Sequence, residues 1–189
     1  PVFIDVDTNV AAVGEYLADE SQPSRLLYLT LSTGMGGGFI VDGRLYRGAN
    51  GSHPEIAHQS IAYTCRFPER VVCECGADAC LEALVSGNGI RRIYGVPAEH
   101  LDDDGWAEVA SNLGQGLRNL AAIYAPERIV LGGSVALGGG AALLAAATAV
   151  MRRNLRIVPA PDVRLSPLGA DSPLLGALAL AGGAFDLSG

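Results

Sequence analysis

The hydrophobic positions of this chain fall into short continuous runs separated by longer segments of helical period. Apolar runs predict buried strands at residues 26–31, 39–41, 128–131 and 163–165, and the end of a further strand at 2–4. Asp42-Gly43 predicts a hairpin turn that leads into a strand at 44–46. Helices are predicted at 9–17, from 81 onward, and at 106–124, 141–153 and 173–185. Three strand segments followed by alternating helix and strand predict an α/β fold with a mixed sheet.

Two glycine-rich segments each follow a predicted strand. Residues 32–38 read Ser-Thr-Gly-Met-Gly-Gly-Gly and predict a tight turn, in which backbone N–H groups could approach a phosphate and Thr33 would add a hydroxyl donor. Gly132-Gly133 ends a strand ahead of a helix, where open α/β sheets hold nucleotides. Either segment alone is more often an ordinary turn, so a nucleotide site and plain turns are about equally supported.

Asp7 lies just before the first predicted helix, and two interpretations of it stay open. A carboxylate at this position can accept a hydroxyl proton during phosphoryl transfer. It can also cap the helix that begins at Asn9, and spacing alone favours the cap. Asp5 is ambiguous in the same way.

One histidine and three cysteines give the most specific signal in the chain. His58 is followed by Cys73, Cys75 and Cys80, a set that can fill all four positions of a tetrahedral zinc site. A zinc with every position filled by protein fixes a loop and does no Lewis-acid chemistry. The alternative, buried thiols with a core histidine, is less favoured. Cys65 lacks ligand spacing, and His53 and His100 have no partner pattern.

Composition narrows the class of protein. The 189 residues fit one domain, 49% of them are hydrophobic, and the formal net charge of -7 disfavours a nucleic-acid surface. Residues 131–151 carry no charge but include five glycines, so they indicate a strand, a turn and a buried helix rather than a membrane span. Without a secretion signal at its start, the chain is expected to be cytoplasmic, with reduced cysteines.

These motifs together resemble the ROK family (repressor, open reading frame, kinase) over nearly the whole chain. The resemblance is carried by five segments, which are Thr33–Gly38, Glu55–His58, Cys73–Glu82, Ser86-Gly87 and Gly132-Gly133. Ser52-His53-Pro54-Glu55 further resembles the Ser-His-Pro-Glu loop of the fructokinase branch. The resemblance implies an actin-like ATPase (ribonuclease H-like) domain with a zinc loop at about 53–87, and ATP-dependent phosphorylation of a hexose, most readily fructose.

The resemblance also assigns roles to individual residues. Asp7 would be the general base, and Glu55, His58 and Glu82 would bind sugar hydroxyls. His58 would use one ring nitrogen for the sugar and the other for a structural Zn²⁺ held with Cys73, Cys75 and Cys80. The remaining implied contacts are Thr33 and Gly34 with the ATP phosphates, Gly132 and Gly133 with adenosine, and Mg²⁺ with the ATP.

Family kinases begin with a small domain that carries an Asp-x-Gly-Gly-Thr phosphate loop, a segment that these 189 residues do not contain. We therefore expect the chain to be the larger, C-terminal half, incompetent as a kinase without its companion segment, and by family analogy a homodimer without membrane contact. The alternative function is the sugar-sensing domain of a ROK transcriptional regulator, the one case in which nucleic acid would be a partner.

Overall fold

A computed structural model describes residues 4–185 of the chain. The predicted strand end at 2–4 therefore lies mostly outside the described residues, and Ile4 itself is exposed and not in a strand. The strands are β1 (Arg25–Leu31), β2 (Met35–Val41), β3 (Arg44–Leu45), β4 (Arg128–Gly132) and β5 (Asp162–Leu165). The helices are α1 (Asp7–Ala18), α2 (Leu81–Val85), α3 (Gly87–Tyr94), α4 (Asp103–Tyr124), α5 (Ser134–Arg153) and α6 (Ser172–Ala181).

The five strands form one mixed sheet, as the sequence predicts, and their order in the sheet is β3-β2-β1-β4-β5. The hairpin strands pair antiparallel, with Leu29 opposite Gly37. Strands β1, β4 and β5 pair in parallel, with Leu29 opposite Leu131. Because β1 is central, its side chains are buried on both faces, which explains its continuous apolar run.

Each face of the sheet carries its own hydrophobic core. Leu27, Leu29 and Leu31 point into a large cluster with α2, α3, α4 and α5. The alternate positions Leu26 and Tyr28 face a smaller cluster formed mainly by α1 and the end of α6. The period-two alternation along β1 thus assigns helices to both faces, the layered arrangement of an α/β domain.

The predicted glycine turn at 32–38 is wrong in its extent. The turn is confined to Ser32–Gly34, where the Ser32 N–H donates to the Gly34 carbonyl at 2.9 Å, and β2 begins at Met35. The later glycines are needed for close packing, because a Cβ on Gly37 would lie 2.2 Å from Ile56 Cδ1 and one on Gly38 would lie 2.6 Å from the Thr8 carbonyl. They let backbone segments lie directly on both faces of the sheet.

Several helix boundaries also differ from prediction. Helix α1 begins at Asp7 rather than Asn9, α4 begins at Asp103 rather than 106, and α6 ends at Ala181 rather than 185. Helix α5 is interrupted at Gly140, whose backbone (φ 56°, ψ -147°) is not helical, so the helix predicted from 141 is its second segment and a first segment starting at Ser134 precedes it. The helix predicted from 81 onward is divided at Ser86, whose hydroxyl caps α3 by accepting from Gly89 N–H at 3.1 Å.

Helix α5 is long and apolar enough to cross a membrane by length and composition alone, with a mean hydropathy of 1.8. One such helix is weak evidence for a span, because core helices of globular domains satisfy the same criterion. Leu143, Ala147 and Met151 of α5 are buried in the core that it shares with α4. The order of strand, turn and helix predicted for residues 131–151 is confirmed by β4 and α5, but α5 is buried on one face only, with 33% of its apolar window inside the molecule.

Candidate active site and metal centre

Four side chains from the loop between β3 and α2 converge on one point. The ligand atoms of His58, Cys73, Cys75 and Cys80 all lie within 4.8 Å of one another. His58 Nδ1 is 3.4 Å from Cys73 Sγ, and Cys75 Sγ is 3.4 Å from Cys80 Sγ. These separations approach the edge of a tetrahedron built on zinc–sulfur bonds, about 3.8 Å.

The chemistry of the donor set fits a thiophilic cation. Burial raises the pKa of Cys73 and raises that of Cys80 to about 12, so these thiols stay protonated at neutral pH without a positive charge beside them. A bound Zn²⁺ would supply that charge and take the thiolates as ligands. His58, Cys73, Cys75 and Cys80 are therefore the residues that would hold it, and Cys65 lies outside this group.

The cluster also orients His58 toward a carboxylate. With Nδ1 facing Cys73, the other ring nitrogen, Nε2, lies 3.9 Å from Glu55 Oε2. Glu55 immediately precedes the 3₁₀ turn Ile56–His58, and its carbonyl accepts the His58 N–H at 3.1 Å. One imidazole thus connects the metal cluster to a glutamate whose side chain is 64% exposed.

The start of β2 is where the candidate substrate segments meet. Glu82 Oε2 accepts the Met35 N–H at 3.0 Å, directly beneath the Ser32–Gly34 turn. On one face of the strand, Ile56 packs on Gly37 and brings the neighbouring Glu55 with it. On the other face Thr8, which follows Asp7, packs on Gly36.

Asp7 is the first residue of α1 and its side chain is exposed. Because the helix starts two residues earlier than predicted, the cap position falls on Val6, and the interpretation of Asp7 as the cap is wrong. One carboxylate oxygen accepts the Thr8 N–H at 2.8 Å. The helix dipole favours a negatively charged side chain in the first turn of a helix.

The neighbouring Asp5, in contrast, has its carboxylate occupied by a hydrogen bond and an ion pair within the protein. Its side chain is only 6% exposed, and its oxygens accept from Asn9 Nδ2 at 2.9 Å and pair with Arg47 Nη2 at 2.5 Å. Burial alone would raise the pKa of Asp5, but these hydrogen bonds outweigh burial and hold the pKa below its usual value. This pair ties the segment after β3 to the start of α1, which leaves Asp7 as the carboxylate that faces solvent.

A cavity of about 440 Å³ opens on the other side of the Ser32–Gly34 turn. Ser32 and Thr33 form one wall, and the start of α5 forms another with Ser134 and Val135. Gly133 takes φ 87° immediately before α5, and a Cβ there would lie 2.3 Å from the Leu31 carbonyl. The predicted residues Gly132 and Gly133 therefore shape the turn behind the cavity, while the residues that line it are Ser134, Val135, Asn88, Arg91, Glu99 and Trp106, among others.

Sequence reasoning missed two features of this region. His53 Nε2 lies 3.5 Å from Glu55 Oε1, although no partner for His53 was predicted from the sequence; its place two residues before Glu55 was the available signal. Arg47, the partner of Asp5, is 42 positions away along the chain, and no local pattern predicts that pairing.

Comparisons with known proteins agree on the family. The family model described as ROK family matches residues 1–184. The chain is 31% identical over 93% of its length to a glucokinase of Halalkalibacterium halodurans, and 39% identical over 71% of its length to a Bacillus subtilis protein named "Putative fructokinase". It spans 62% and 45% of the lengths of these two relatives.

Solved structures agree on the fold. A ROK hexokinase from Thermus thermophilus superposes with a TM-score of 0.81 at 34% identity, covering 97% of this chain and 67% of that one. A ROK glucokinase from Streptomyces griseus, solved with glucose and AMPPNP, gives a TM-score of 0.77 at 28% identity, covering 95% of this chain and 68% of that one. The actin-like ATPase fold that the sequence predicts is thereby confirmed.

Proposed function

The chain belongs to the ROK family, and from this premise we propose that it takes part in ATP-dependent phosphorylation of a hexose, with fructose as the preferred sugar. The observation that carries the proposal is the meeting of three chemically distinct segments at the start of β2. These are the Asp7 end of α1, the Glu55–His58 turn and Glu82. Glu82 contacts the chain directly after the Ser32–Gly34 turn, and Ser32 and Thr33 of that turn also line the cavity of about 440 Å³.

Asp7 is proposed as the general base. Its exposed carboxylate at the start of α1 would accept the proton of the sugar hydroxyl as that oxygen attacks the terminal phosphate of ATP. Thr8 N–H holds one carboxylate oxygen, which leaves the second free to face a substrate. Mg²⁺ that arrives with ATP would neutralise phosphate charge during the transfer.

Glu55, His58 and Glu82 are proposed to bind the other sugar hydroxyls. Carboxylate oxygens accept from hydroxyl groups, and the Nε2 of His58 lies on the Glu55 side of the ring, away from the cysteines. A zinc held through Nδ1 would fix this orientation and so couple the metal to sugar geometry. Fructose is preferred because Ser52–Glu55 resembles the fructokinase loop and one relative carries a fructokinase name.

Thr33 and Gly34 are proposed to face the ATP phosphates, and the cavity beside them to take the nucleoside. Gly132 and Gly133 support its wall, since the left-handed backbone at Gly133 starts α5 at the cavity edge. The backbone N–H groups at the start of α5 would favour phosphate.

Phosphoryl transfer needs groups on both walls of a cleft. The chain covers 62% of the glucokinase to which it is similar. We therefore propose that these 189 residues act as the larger domain and phosphorylate sugar only together with a smaller companion domain. A homodimer is proposed on family grounds.

The test is sugar-dependent ATP turnover by the full-length gene product, with fructose, glucose, mannose and acetylated hexosamines. We expect fructose to give the highest kcat/KM, and Asp7→Asn to lower kcat by about 10²- to 10⁴-fold, the usual contribution of a general base. Sugar binding without turnover by any sugar would contradict a kinase and favour the sugar-sensing regulator. Ordinary turnover by the 189-residue chain alone would contradict the two-domain requirement.

A further inference from the structure

The Glu55 carboxylate lies between two imidazole rings. His53 Nε2 is 3.5 Å from Oε1, and His58 Nε2 is 3.9 Å from Oε2. The glutamate side chain is 64% exposed, whereas the histidine side chains are 21% and 29% exposed. A long exposed side chain would ordinarily sample several rotamers, so two less mobile neighbours, one on each oxygen, restrict it.

Both rings are more buried than the glutamate between them. His58 also contacts Cys73 at 3.4 Å. The Nδ1 of His53 is buried, and the following Pro54 limits the backbone of His53 to extended conformations. The carboxylate is therefore the most exposed of the three groups.

We infer that His53 is a positioning residue that holds the Glu55 carboxylate in the orientation that accepts a pair of neighbouring hexose hydroxyls. This inference rests on the proposed function of the same site. A carboxylate offers two oxygens in one plane, which matches two adjacent hydroxyl donors, and restricting its rotation before binding lowers the entropy that binding costs. His53 restricts it from the side opposite the metal cluster, so the orientation depends on both imidazoles.

The experiment compares three variants of the full-length protein in fructose kinetics and direct sugar binding. His53→Ala should raise KM and the sugar Kd about tenfold with kcat little changed, the cost expected for ordering one side chain on binding. His53→Gln retains an N–H donor near the position of Nε2 and should recover most of the affinity. His100→Ala, at an exposed histidine in a separate 3₁₀ turn, is the matched control and should behave like wild type.

Two further measurements separate positioning from a structural role. The zinc content of His53→Ala should equal that of wild type, since His53 is not among the clustered ligands. Combining His53→Ala with Glu55→Gln should add little to the loss caused by Glu55→Gln alone, because His53 acts through that carboxylate.

The outcomes are distinct. Equal affinities for His53→Ala and His100→Ala, additive losses in the double variant, or loss of zinc from His53→Ala would each overturn the inference while leaving the kinase proposal standing. If the alanine variant does not fold, the sugar affinity of His53→Gln tests the inference instead: most of the wild-type affinity should remain, and its loss would overturn the inference. A wild type that binds none of the sugars would overturn the proposed function and this inference together.

Discussion

Two stretches of the loop between β3 and α2 are attached to the rest of the domain in different ways. The first, Thr64–Arg70, is attached to α4 by side chains: Asn112 donates to the Thr64 carbonyl and accepts its N–H, both at 2.9 Å, and Arg66 pairs with Asp102 and Glu108. The second, Cys73–Cys80, has exposed residues from Glu74 to Asp78, joined to α3 by an ion pair between Glu74 and Arg92.

The difference follows from what each stretch can bury. The first packs the half-buried Cys65 and Phe67 against the large core, with Phe67 edge-to-face against Tyr94.

The second buries Cys73 and Cys80 in the same core but leaves Glu74–Asp78 exposed, and these five residues bury little to offset the entropy of ordering a loop. We expect the order of this stretch to depend on the ligand cluster, which includes His58. The first stretch is therefore structural, and the second is proposed to position substrate.

Loss of the metal is the sharpest way to break this comparison. Cys75→Ser should abolish zinc binding, because a structural site needs all four ligands. Hydrogen exchange should then lose protection at 73–80 while 64–70 keeps it. Both measurements use the purified protein, and the metal content is measured by mass spectrometry. Equal loss of hydrogen-exchange protection at 64–70 and 73–80 would show that the two stretches do not differ in their dependence on the metal.

Asn112→Ala should have the opposite effect: it should disturb the first stretch and leave the metal site intact. Removing this buried amide leaves the Thr64 N–H and carbonyl without their partner, at a cost of about 2 kcal/mol in the free energy of unfolding. Zinc content should stay at the wild-type level. Asn119→Ala, on the same helix with weaker bonds at 3.2 and 3.5 Å, is the matched control for denaturant unfolding.

Acid titration isolates the ion pair of the first stretch. The hydrogen bond from Arg66 lowers the pKa of Asp102 to about 2, and the folded-state pKa is thus below the unfolded value of about 3.9. The stability that this pair contributes is present above about pH 4 and is lost as pH falls toward 2. Arg66→Ala should reduce the pH dependence of the free energy of unfolding, measured by urea unfolding at several pH values. If the free energy of unfolding changes with pH as steeply in Arg66→Ala as in wild type, a contribution from the pair is excluded.

Cys65→Ser should have the smallest effect. The side chain is half-buried and lies outside the ligand cluster. We expect full zinc content and a midpoint of thermal unfolding close to that of wild type. Loss of metal equal to that of Cys75→Ser would contradict the ligand assignment.

The residues that could be predicted from sequence are those whose geometry is local or whose chemistry is rare. Cys73, Cys75 and Cys80 lie within eight positions, and with one upstream histidine few arrangements other than a metal site suit them. The central strand β1 is equally direct, because burial on both faces leaves an unbroken apolar run.

What sequence reasoning did not reach depends on contacts between distant segments. The extent of the glycine turn was mispredicted because Gly37 and Gly38 are required by Ile56 and Thr8, which approach from opposite faces of the sheet. Asn112 looks like any polar helix residue until Thr64, 48 positions away, is placed against it. Asp7 was wrongly predicted as the helix cap because α1 begins two residues earlier than expected, and helix propensity alone does not locate a boundary that closely.

The most direct test of the account compares Asp7→Asn and Cys75→Ser in steady-state kinetics of the full-length protein, with whichever hexose gives turnover. Asp7 at the start of α1 is proposed to carry the chemistry, and the stretch with the metal ligands is proposed to position substrate. We therefore expect Asp7→Asn to lower kcat by about 10²- to 10⁴-fold with KM little changed, and Cys75→Ser to act mainly by raising KM. Full kcat in Asp7→Asn, or an unchanged KM in Cys75→Ser after confirmed zinc loss, would contradict this division of roles.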